Sequence, residues 1–182
     1  PGTVLYPVPS VMVSCGTLEG DKNILTIAWT GIVNTDPAMT YISVRPERYS
    51  YDLIENTGEF VINLANANIA KQCDYCGVVS GKNKDKFKET GLTPFKSNIV
   101  SAPSIYECAV NIECVVEDIL PLGTHHMFLS KIVSVSVSDE FIDETGRYDF
   151  AASKPICYSH GAYYALGDYI GKFGYSIQKK KK

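Results

Sequence analysis

Two runs of alternating side chains, joined by a short turn, constrain the fold of this chain most. Between Tyr106 and Val116 apolar or cysteine side chains alternate with polar ones, and in the run from Met127 to Val137 the valines at 133, 135 and 137 alternate with serines. The first run places on one face Tyr106, Cys108, Val110, Ile112, Cys114 and Val116, and on the other face Glu107, Asn111, Glu113 and Glu117. Because strand side chains alternate with a period of two, both runs are predicted strands, and Pro121-Leu122-Gly123 turns the chain between them. A change of parity near Lys131-Ile132 predicts a bulge in the second strand.

Shorter β-rich runs, separated by turn residues, fill much of the remaining chain. They cover Val11 to Cys15, Ile24 to Thr30, Met39 to Val44 and Glu59 to Leu64. Helical patterns are short and lie at Ser50 to Asn56, Asn68 to Cys76 and Asp85 to Glu89, with Gly91 as a stop. Ser50 is the predicted N-cap of the first helix, and Gly58 lies just past its end. Many evenly spaced strands, with helices as insertions, predict a mainly β fold: one antiparallel barrel over residues 1–178, followed by a disordered lysine tail at 179–182.

The charge balance argues against a nucleic-acid partner. The chain has 17 basic and 20 acidic residues, a net charge of −3; without the four terminal lysines, 13 basic face 20 acidic residues, a net charge of −7. Nucleic-acid binders usually carry a basic face. No apolar run is long enough to span a bilayer, so no membrane partner is expected. With a full core, the six cysteines are expected to be reduced thiols in the cytoplasm.

Cationic side chains gather in the segment SVRPERYS, residues 43–50. Its polar residues are Ser43, Arg45, Arg48, Tyr49 and Ser50, at the end of a strand and the start of a helix. Guanidinium groups and free N–H groups at a helix N-terminus both favour phosphate oxygens, so the segment predicts an anion site. The alternative is a solvated turn with surface ion pairs.

A second cationic loop is SGKNKDKF, residues 80–87, in which Lys82, Lys84 and Lys86 alternate after Gly81. Taken alone, this pattern is more typical of a mobile lysine loop at the surface. Two such segments in one acidic chain nevertheless favour a phosphorylated ligand.

The stretch NILTIAWTG, residues 23–31, contains the only tryptophan of the chain. A strand that ends in small and hydroxyl residues offers backbone N–H and C=O groups to a flat heteroaromatic ring. Ala28 and Gly31 would let the ring approach closely, and Trp29 would form a wall of the pocket. The alternative is a core strand with one large anchor.

Histidine and cysteine patterns give weaker signals. Adjacent His125 and His126 would point to opposite faces of a strand, so they are poor joint metal ligands. Cys73 and Cys76 form C-x-x-C on a predicted helix, which is not the context of a thioredoxin-type motif. Two further cysteines, Cys108 and Cys114, are roughly 20 Å apart on a straight strand, so one metal cannot join both pairs. We therefore expect no metal site.

Together these segments resemble the flavin reductase-like family of FMN-binding split barrels, which includes the flavoredoxins. The resemblance covers nearly the whole chain and is most specific in the ordered series T-x-A-W-T-G, S-V-R-P-x-R-Y-S and G-E-F-V-I-N-L. It implies an antiparallel Greek-key split β-barrel and a homodimer with FMN near the subunit interface.

The resemblance also implies site residues. The flavin ring and ribityl chain would lie along Thr26, Ala28, Trp29 and Thr30. The phosphate side would be held by Ser43, Arg45, Tyr49 and Ser50, with Arg48 in the same motif. Ser80, Lys82 and Lys86 match the family's S-G-(K/R)-x-x-D-K-F loop, which approaches the phosphate. His125 or His126 matches a histidine near flavin and nicotinamide, and Phe173 matches a C-terminal aromatic that can cover the site.

Three functions are compatible with this resemblance. In an NAD(P)H-dependent flavin reductase, hydride passes from nicotinamide C4 to FMN N5, and the protein stacks the two rings at about 3–3.5 Å. In a flavoredoxin-type carrier, FMN stays bound and a redox protein partner supplies electrons, steered by the acidic body. The third function is a non-catalytic flavin-binding module.

Overall fold

Seven strands form one antiparallel sheet that curls back on itself. The computed structural model describes residues 1–177 and contains, within them, twelve strands and three α-helices. The strands are β1 Val8–Pro9, β2 Val11–Gly16, β3 Lys22–Ile27, β4 Thr30–Asn34, β5 Met39–Val44, β6 Glu59–Leu64, β7 Pro94–Phe95, β8 Ser104–Ile105, β9 Val110–Pro121, β10 His126–Val137, β11 Ile156–Ser159 and β12 Ala162–Ala165. The helices are α1 Tyr49–Thr57, α2 Ala70–Val78 and α3 Lys86–Thr90. The large sheet has the order β3-β2-β6-β9-β10-β5-β4, and small sheets join β1-β11-β12 and β7-β8.

The curl of the large sheet follows from its two edge strands. β3 and β4 lie at opposite ends of the seven-stranded order, yet only Ala28 and Trp29 separate them in the chain. Three Cα–Cα steps of 3.8 Å allow at most about 11 Å between Ile27 and Thr30, so the two edges must meet. The backbone N–H of Ser43 in β5 donates to the carbonyl of Trp29 at 2.9 Å and fixes this corner. The predicted mainly β, antiparallel split-barrel fold is confirmed.

Two apolar clusters lie on the two faces of the sheet. β2 is buried along its whole length, and its alternating side chains reach both clusters. The cluster inside the curl includes Val11, Val13, Leu25, Ile42, Val44, Phe60 and Phe128. The cluster on the outer face lies under α2 and α3 and includes Met12, Ile24, Cys73, Cys76, Phe87 and Cys108. Burial of these side chains, at about 25 cal/mol per Å² of apolar surface, holds α2 and α3 against the sheet, whereas α1 packs Tyr51 and Ile54 into the first cluster.

The predicted strand Ile24 to Thr30 is wrong at its C-terminal end. β3 ends at Ile27, and Thr30 already belongs to β4 at the opposite edge of the sheet. Alternation along NILTIAWTG cannot reveal this break, because the break is required by closure of the sheet.

The predicted strand Tyr106 to Val116 is wrong at its start and in one of its faces. β9 begins at Val110, and Tyr106 is 74% exposed instead of sharing an apolar face. Glu113, predicted on the polar face, is fully buried. Its carboxylate accepts backbone N–H bonds from Asn98, Ile99 and Val100 at 2.7 to 3.1 Å, so a loop covers this face.

The long hairpin of β9 and β10 keeps the predicted turn and bulge. Its pairing is antiparallel from Pro121↔His126 to Val110↔Val137. The register shifts at Leu129/Ser130 and at Ile132/Ser134, on either side of the predicted bulge at Lys131-Ile132. That prediction is confirmed.

The helix boundaries differ from the predictions by one or two residues. α1 begins at Tyr49 with Arg48 as N-cap, so Ser50 is not the cap; it is buried within the first turn. Gly58 ends α1 with φ 68°, and Gly91 ends α3 with φ 71°, the left-handed conformation that glycine adopts readily. α2 is displaced to Ala70–Val78, because a 3-10 turn precedes it.

Two further sequence predictions concern the lysine tail and the membrane. The tail at 179–182 lies outside the described residues. Among residues 1–177, none of the helices has the length and apolar character needed to cross a membrane.

Candidate functional site

The corner between β3 and β4 forms one end of a groove. Leu25 to Trp29 line a cavity of about 180 Å³ together with Ser43, Val44, Arg45, Arg48 and His125. Trp29 is 39% exposed, and its ring lies 4.5 Å from the imidazole of His125 with a 47° tilt. This pair borders a slot beside the small side chain of Ala28, which suits a flat ring.

The two adjacent histidines point to different places. His125 precedes β10 and lines the groove. Burial, and next the positive charge of Arg45, hold the pKa of His125 below its ordinary value. His126 opens β10 and turns away, with its Nδ1 2.8 Å from the Tyr51 hydroxyl. Only His125 therefore lies where it can contact a groove ligand.

A cationic pocket continues the groove towards the start of α1. This cationic pocket, a cavity of about 220 Å³, shares Leu25, Arg45 and Arg48 with the cavity beside Trp29. The N–H of Arg48 donates to the carbonyl of Arg45 at 3.0 Å, so a tight turn brings both guanidinium groups to one side. Arg45 Nε lies 2.8 Å from Glu47 Oε1 in an exposed ion pair. The first turn of α1 adds Tyr49 and Ser50 to the lining, and a helix N-terminus favours an anion there.

Lys86 is the buried cation of this pocket. It is only 3% exposed, and its ammonium donates to the carbonyls of Ile24 and Cys76 at 2.7 and 2.8 Å. An ammonium has three N–H donors, so one is left for the pocket that Lys86 lines. Burial, reinforced by the charge of Arg48, lowers the pKa of Lys86 to about 8.

The other predicted loop residues divide between two cavities. Ser80 lines the same cavity as Lys86, and its hydroxyl accepts the N–H of Lys82 at 3.3 Å. Lys82 lines a neighbouring cavity of about 340 Å³, which shares Tyr49 and Gly81 with the cationic pocket. The structure therefore places Lys82 beside the groove and Lys86 within it.

Thr30 and Phe173 lie in other surroundings than predicted, and Thr26 lines the groove with its hydroxyl engaged elsewhere. The Thr30 hydroxyl donates to the Tyr41 carbonyl at 2.6 Å, and Thr30 lines a separate cavity under the N-terminal residues. Thr26 lines the groove, but its hydroxyl donates to the carbonyl of Cys73 on α2. Phe173 is fully exposed in a C-terminal segment and lines none of the cavities described above.

Sequence reasoning missed the contact that holds the two cationic segments together. Asn23 in β3 is buried, and its amide donates to the Ser50 hydroxyl at 2.8 Å. A Cβ at position 81 would overlap the same amide, so the loop approaches β3 this closely only with Gly81. The sequence feature that could have indicated this contact is the polar Asn23 at the start of an otherwise apolar strand.

The cysteines show no arrangement for redox or metal chemistry in residues 1–177. All six are free thiols, and burial raises the pKa of Cys73, and that of Cys76 to about 11. Thiols with raised pKa values are poor nucleophiles. Across the same residues, no group of three or more His, Cys, Asp or Glu side chains could hold a metal ion.

Comparisons with known proteins point to one family. The sequence profile of the flavin reductase like domain matches residues 3–167. An uncharacterized protein of Archaeoglobus fulgidus is 30% identical over 139 residues, which are 76% of this chain and 77% of that protein. Flavoredoxin of Desulfovibrio vulgaris (Miyazaki F) superposes with a TM-score of 0.90 at 28% identity, over 98% of this chain and 97% of that chain. Flavoredoxin from Methanosarcina acetivorans gives 0.85 at 28% identity, over 96% and 94%.

Proposed function

This chain belongs to the flavin reductase like domain family, and from that premise we propose that it binds FMN and reduces it with NAD(P)H. The observation that carries the proposal is one continuous groove with two chemically different ends. One end is a slot beside Trp29 and His125, and the other collects three cations, Arg45, Arg48 and Lys86. A flat ring linked to a phosphate has the same two parts.

The residues of the groove fit FMN in charge and shape. Two guanidinium groups, a buried ammonium and the first turn of α1 suit a phosphate dianion. Ala28, Trp29 and His125 offer one small and two flat surfaces to the ring. When bound, FMN supplies a two-electron acceptor that takes hydride at N5 from C4 of a nicotinamide.

The protein's own residues bind and orient in this proposal. Because its pKa is lowered, His125 is mainly neutral at pH 7, so it stacks and positions a ring without adding charge to it. Leu25 and Ile27 line the inner wall of the slot and exclude water there. No side chain is required to act as an acid or base.

Anaerobic spectroscopy tests the proposal directly. The purified protein, supplied with FMN, is titrated with NADH and then with NADPH while the flavin bands are followed. We expect that the protein binds FMN and that NADH or NADPH rapidly bleaches the absorption bands of the bound flavin. If the protein takes up no FMN, the proposed flavin site is refuted. If bound flavin is not reduced by NADH or by NADPH, the proposed NAD(P)H donor is refuted.

The two flavoredoxins favour a second candidate, an FMN electron carrier that a redox protein partner reduces. Both superpose on this chain at 28% identity. Flavin that dithionite bleaches but both nucleotides leave unchanged would support this carrier.

The six free cysteines suit a reducing compartment, so we also propose a cytoplasmic location.

Replacing Arg45 with Ala should weaken FMN binding about tenfold. The change removes a charge-assisted phosphate contact worth about 1.5 kcal/mol, at the low end of the range because Arg45 is half exposed and paired with Glu47. Fluorescence quenching of FMN measures the affinity. Arg147→Ala removes the third arginine of the chain, which does not line the groove, and should leave FMN affinity unchanged. Equal affinities in both variants would exclude Arg45 from the phosphate site.

We further propose a homodimer. β4 is an edge strand of the large sheet, with Ile32 69% exposed, and a sheet edge with exposed apolar side chains pairs readily with another chain. Apolar side chains are also exposed in the C-terminal segment at Leu166, Tyr169, Ile170, Phe173, Tyr175 and Ile177. In a dimer, this segment of one copy can cover the groove of the other.

Sedimentation equilibrium should give about twice the chain mass of 20.0 kDa. Ile32→Lys places a charge on the exposed edge of β4 and should shift the protein towards monomer. A wild-type protein that sediments as a monomer while it carries FMN would contradict the dimer.

A further inference from the structure

A second cavity lies behind the strand end that borders the groove. It measures about 390 Å³ and lies between the end of β3, helix α2 and the β11–β12 hairpin. Its lining includes Thr26 and Ala28 from β3, Asp74 and Gly77 from α2, and Tyr158 and Tyr163 from the hairpin. Its volume is within the range of roughly 300–1,000 Å³ that is typical of small-molecule sites.

The groove and the second cavity share one thin wall. Thr26 and Ala28 line both of them. α2 lies flush against this wall, because a Cβ on Gly77 would come within 3.3 Å of the Thr26 Cβ. From the groove side, Arg48 Nη1 lies 3.5 Å from the Gly77 carbonyl oxygen. An occupant of the second cavity would therefore contact the same residues that a groove ligand contacts from the front.

The second cavity has an aromatic wall and a single carboxylate. The rings of Tyr158 and Tyr163 line it and meet edge to face at 5.8 Å between centroids, and Tyr6, outside the lining, packs against Tyr158 at 6.0 Å. The Tyr163 hydroxyl donates to Asp74 Oδ1 at 3.1 Å. Burial, and next this bond to Asp74, raise the pKa of Tyr163, so it remains a protonated phenol. The three ion pairs formed within residues 1–177 do not include Asp74.

We propose that the second cavity binds a planar aromatic molecule that carries an ammonium or another N–H donor group. Among residues 1–177, Asp74 is the only charged residue in the lining, so a cation is favoured beside it over phosphates and carboxylates. Tyrosine rings pack well against another ring and attract a cation over their faces. The preference is opposite to that of the groove, where Arg45, Arg48 and Lys86 favour anions.

A pair of similar probes tests this preference. Tyramine carries an ammonium on a phenol ring, and 4-hydroxyphenylacetate carries a carboxylate on the same ring. Binding to the full chain is measured by calorimetry or ligand-observed NMR. For a probe of this size we expect a dissociation constant near about 1 mM for tyramine and no detectable binding of the acid. Equal binding of both probes, or none by tyramine at about 20 mM, would overturn the proposal.

Substitutions locate the probe in the cavity. Asp74→Asn should weaken tyramine binding about three- to fivefold, because it removes a charge contact that is partly screened by water at the exposed Asp74. Tyr163→Phe should weaken it less, since the ring stays and only the phenol oxygen is lost. Glu144→Gln removes one exposed carboxylate elsewhere and should have no effect. Tyramine binding that Asp74→Asn leaves unchanged would place the probe outside this cavity and refute the proposal.

The binding test does not depend on the proposed flavin function. It is done on flavin-free protein, so failure of FMN uptake leaves its outcome interpretable. A second measurement, on protein loaded with FMN, rests on the proposed function: tyramine should shift the flavin absorption through the shared wall at Thr26 and Ala28. The Asp74→Asn variant should bind FMN as the wild type does and show a smaller shift at the same tyramine concentration.

Discussion

Replacing Glu113 with Ala should lower the free energy of unfolding by about 3–5 kcal/mol, the largest stability effect that we expect from one substitution. The Glu113 carboxylate is fully buried and accepts three backbone N–H bonds, from Asn98, Ile99 and Val100. Its loss leaves three donors without their partner, and hydrogen bonds to a charged group are individually worth about 1.5–3 kcal/mol. Urea unfolding followed by circular dichroism measures the change.

Glu59→Ala is the matched control for this prediction. Glu59 accepts from the N–H and hydroxyl of Ser101 in the same loop, but these bonds are exposed and water replaces them. We expect a loss of at most about 1 kcal/mol. A Glu113→Ala variant no less stable than Glu59→Ala would show that the loop does not depend on the buried carboxylate. Neither residue lines the groove, so FMN affinity should not change well below the unfolding transition.

The same residue shows where local sequence patterns stop being informative. Alternation correctly indicates that Val110 to Val116 is extended, because period two is a local property of the backbone. The alternation predicts that Glu113 faces solvent. It carries no information about the loop that folds over that face and donates its backbone N–H groups to the Glu113 carboxylate. The break at Ala28-Trp29 is likewise invisible locally, since only closure of the sheet requires it.

The candidate site likewise has features that local sequence patterns predict and features that they do not. Two arginines around a proline, and lysines after Gly81, are enough to predict the cationic end from residue types and spacing alone. The burial of Lys86 cannot be predicted, because alternation treats it like Lys82 and Lys84. Lys86 differs from the other two lysines because α3 packs on β3, which places the Lys86 ammonium within hydrogen-bond distance of the Ile24 and Cys76 carbonyls.

Lys86→Met should weaken FMN binding at pH 7 by about 2–3 kcal/mol, or roughly 30- to 150-fold. The effect exceeds that of Arg45→Ala because Lys86 is buried, where an ion pair with phosphate is screened less by water. Lys88→Met is the control, since it makes the same substitution on the exposed side of α3. Fluorescence titration measures the affinities, and circular dichroism verifies that both variants fold.

The pH dependence of FMN affinity separates a charge effect of Lys86 from a packing effect. In the free protein the pKa of Lys86 is lowered to about 8, so above that pH the ammonium loses its proton. A bound phosphate favours the charged form and raises this pKa, so binding takes up a proton above pH 8. Wild-type affinity should therefore be constant between about pH 7 and 8, where the FMN phosphate is a dianion, and fall by up to about tenfold per unit above pH 8. Lys86→Met should abolish this fall, and riboflavin, which lacks the phosphate, should not show it with the wild type. A wild-type FMN affinity that stays constant up to about pH 9.5 would mean that the Lys86 ammonium does not meet the phosphate.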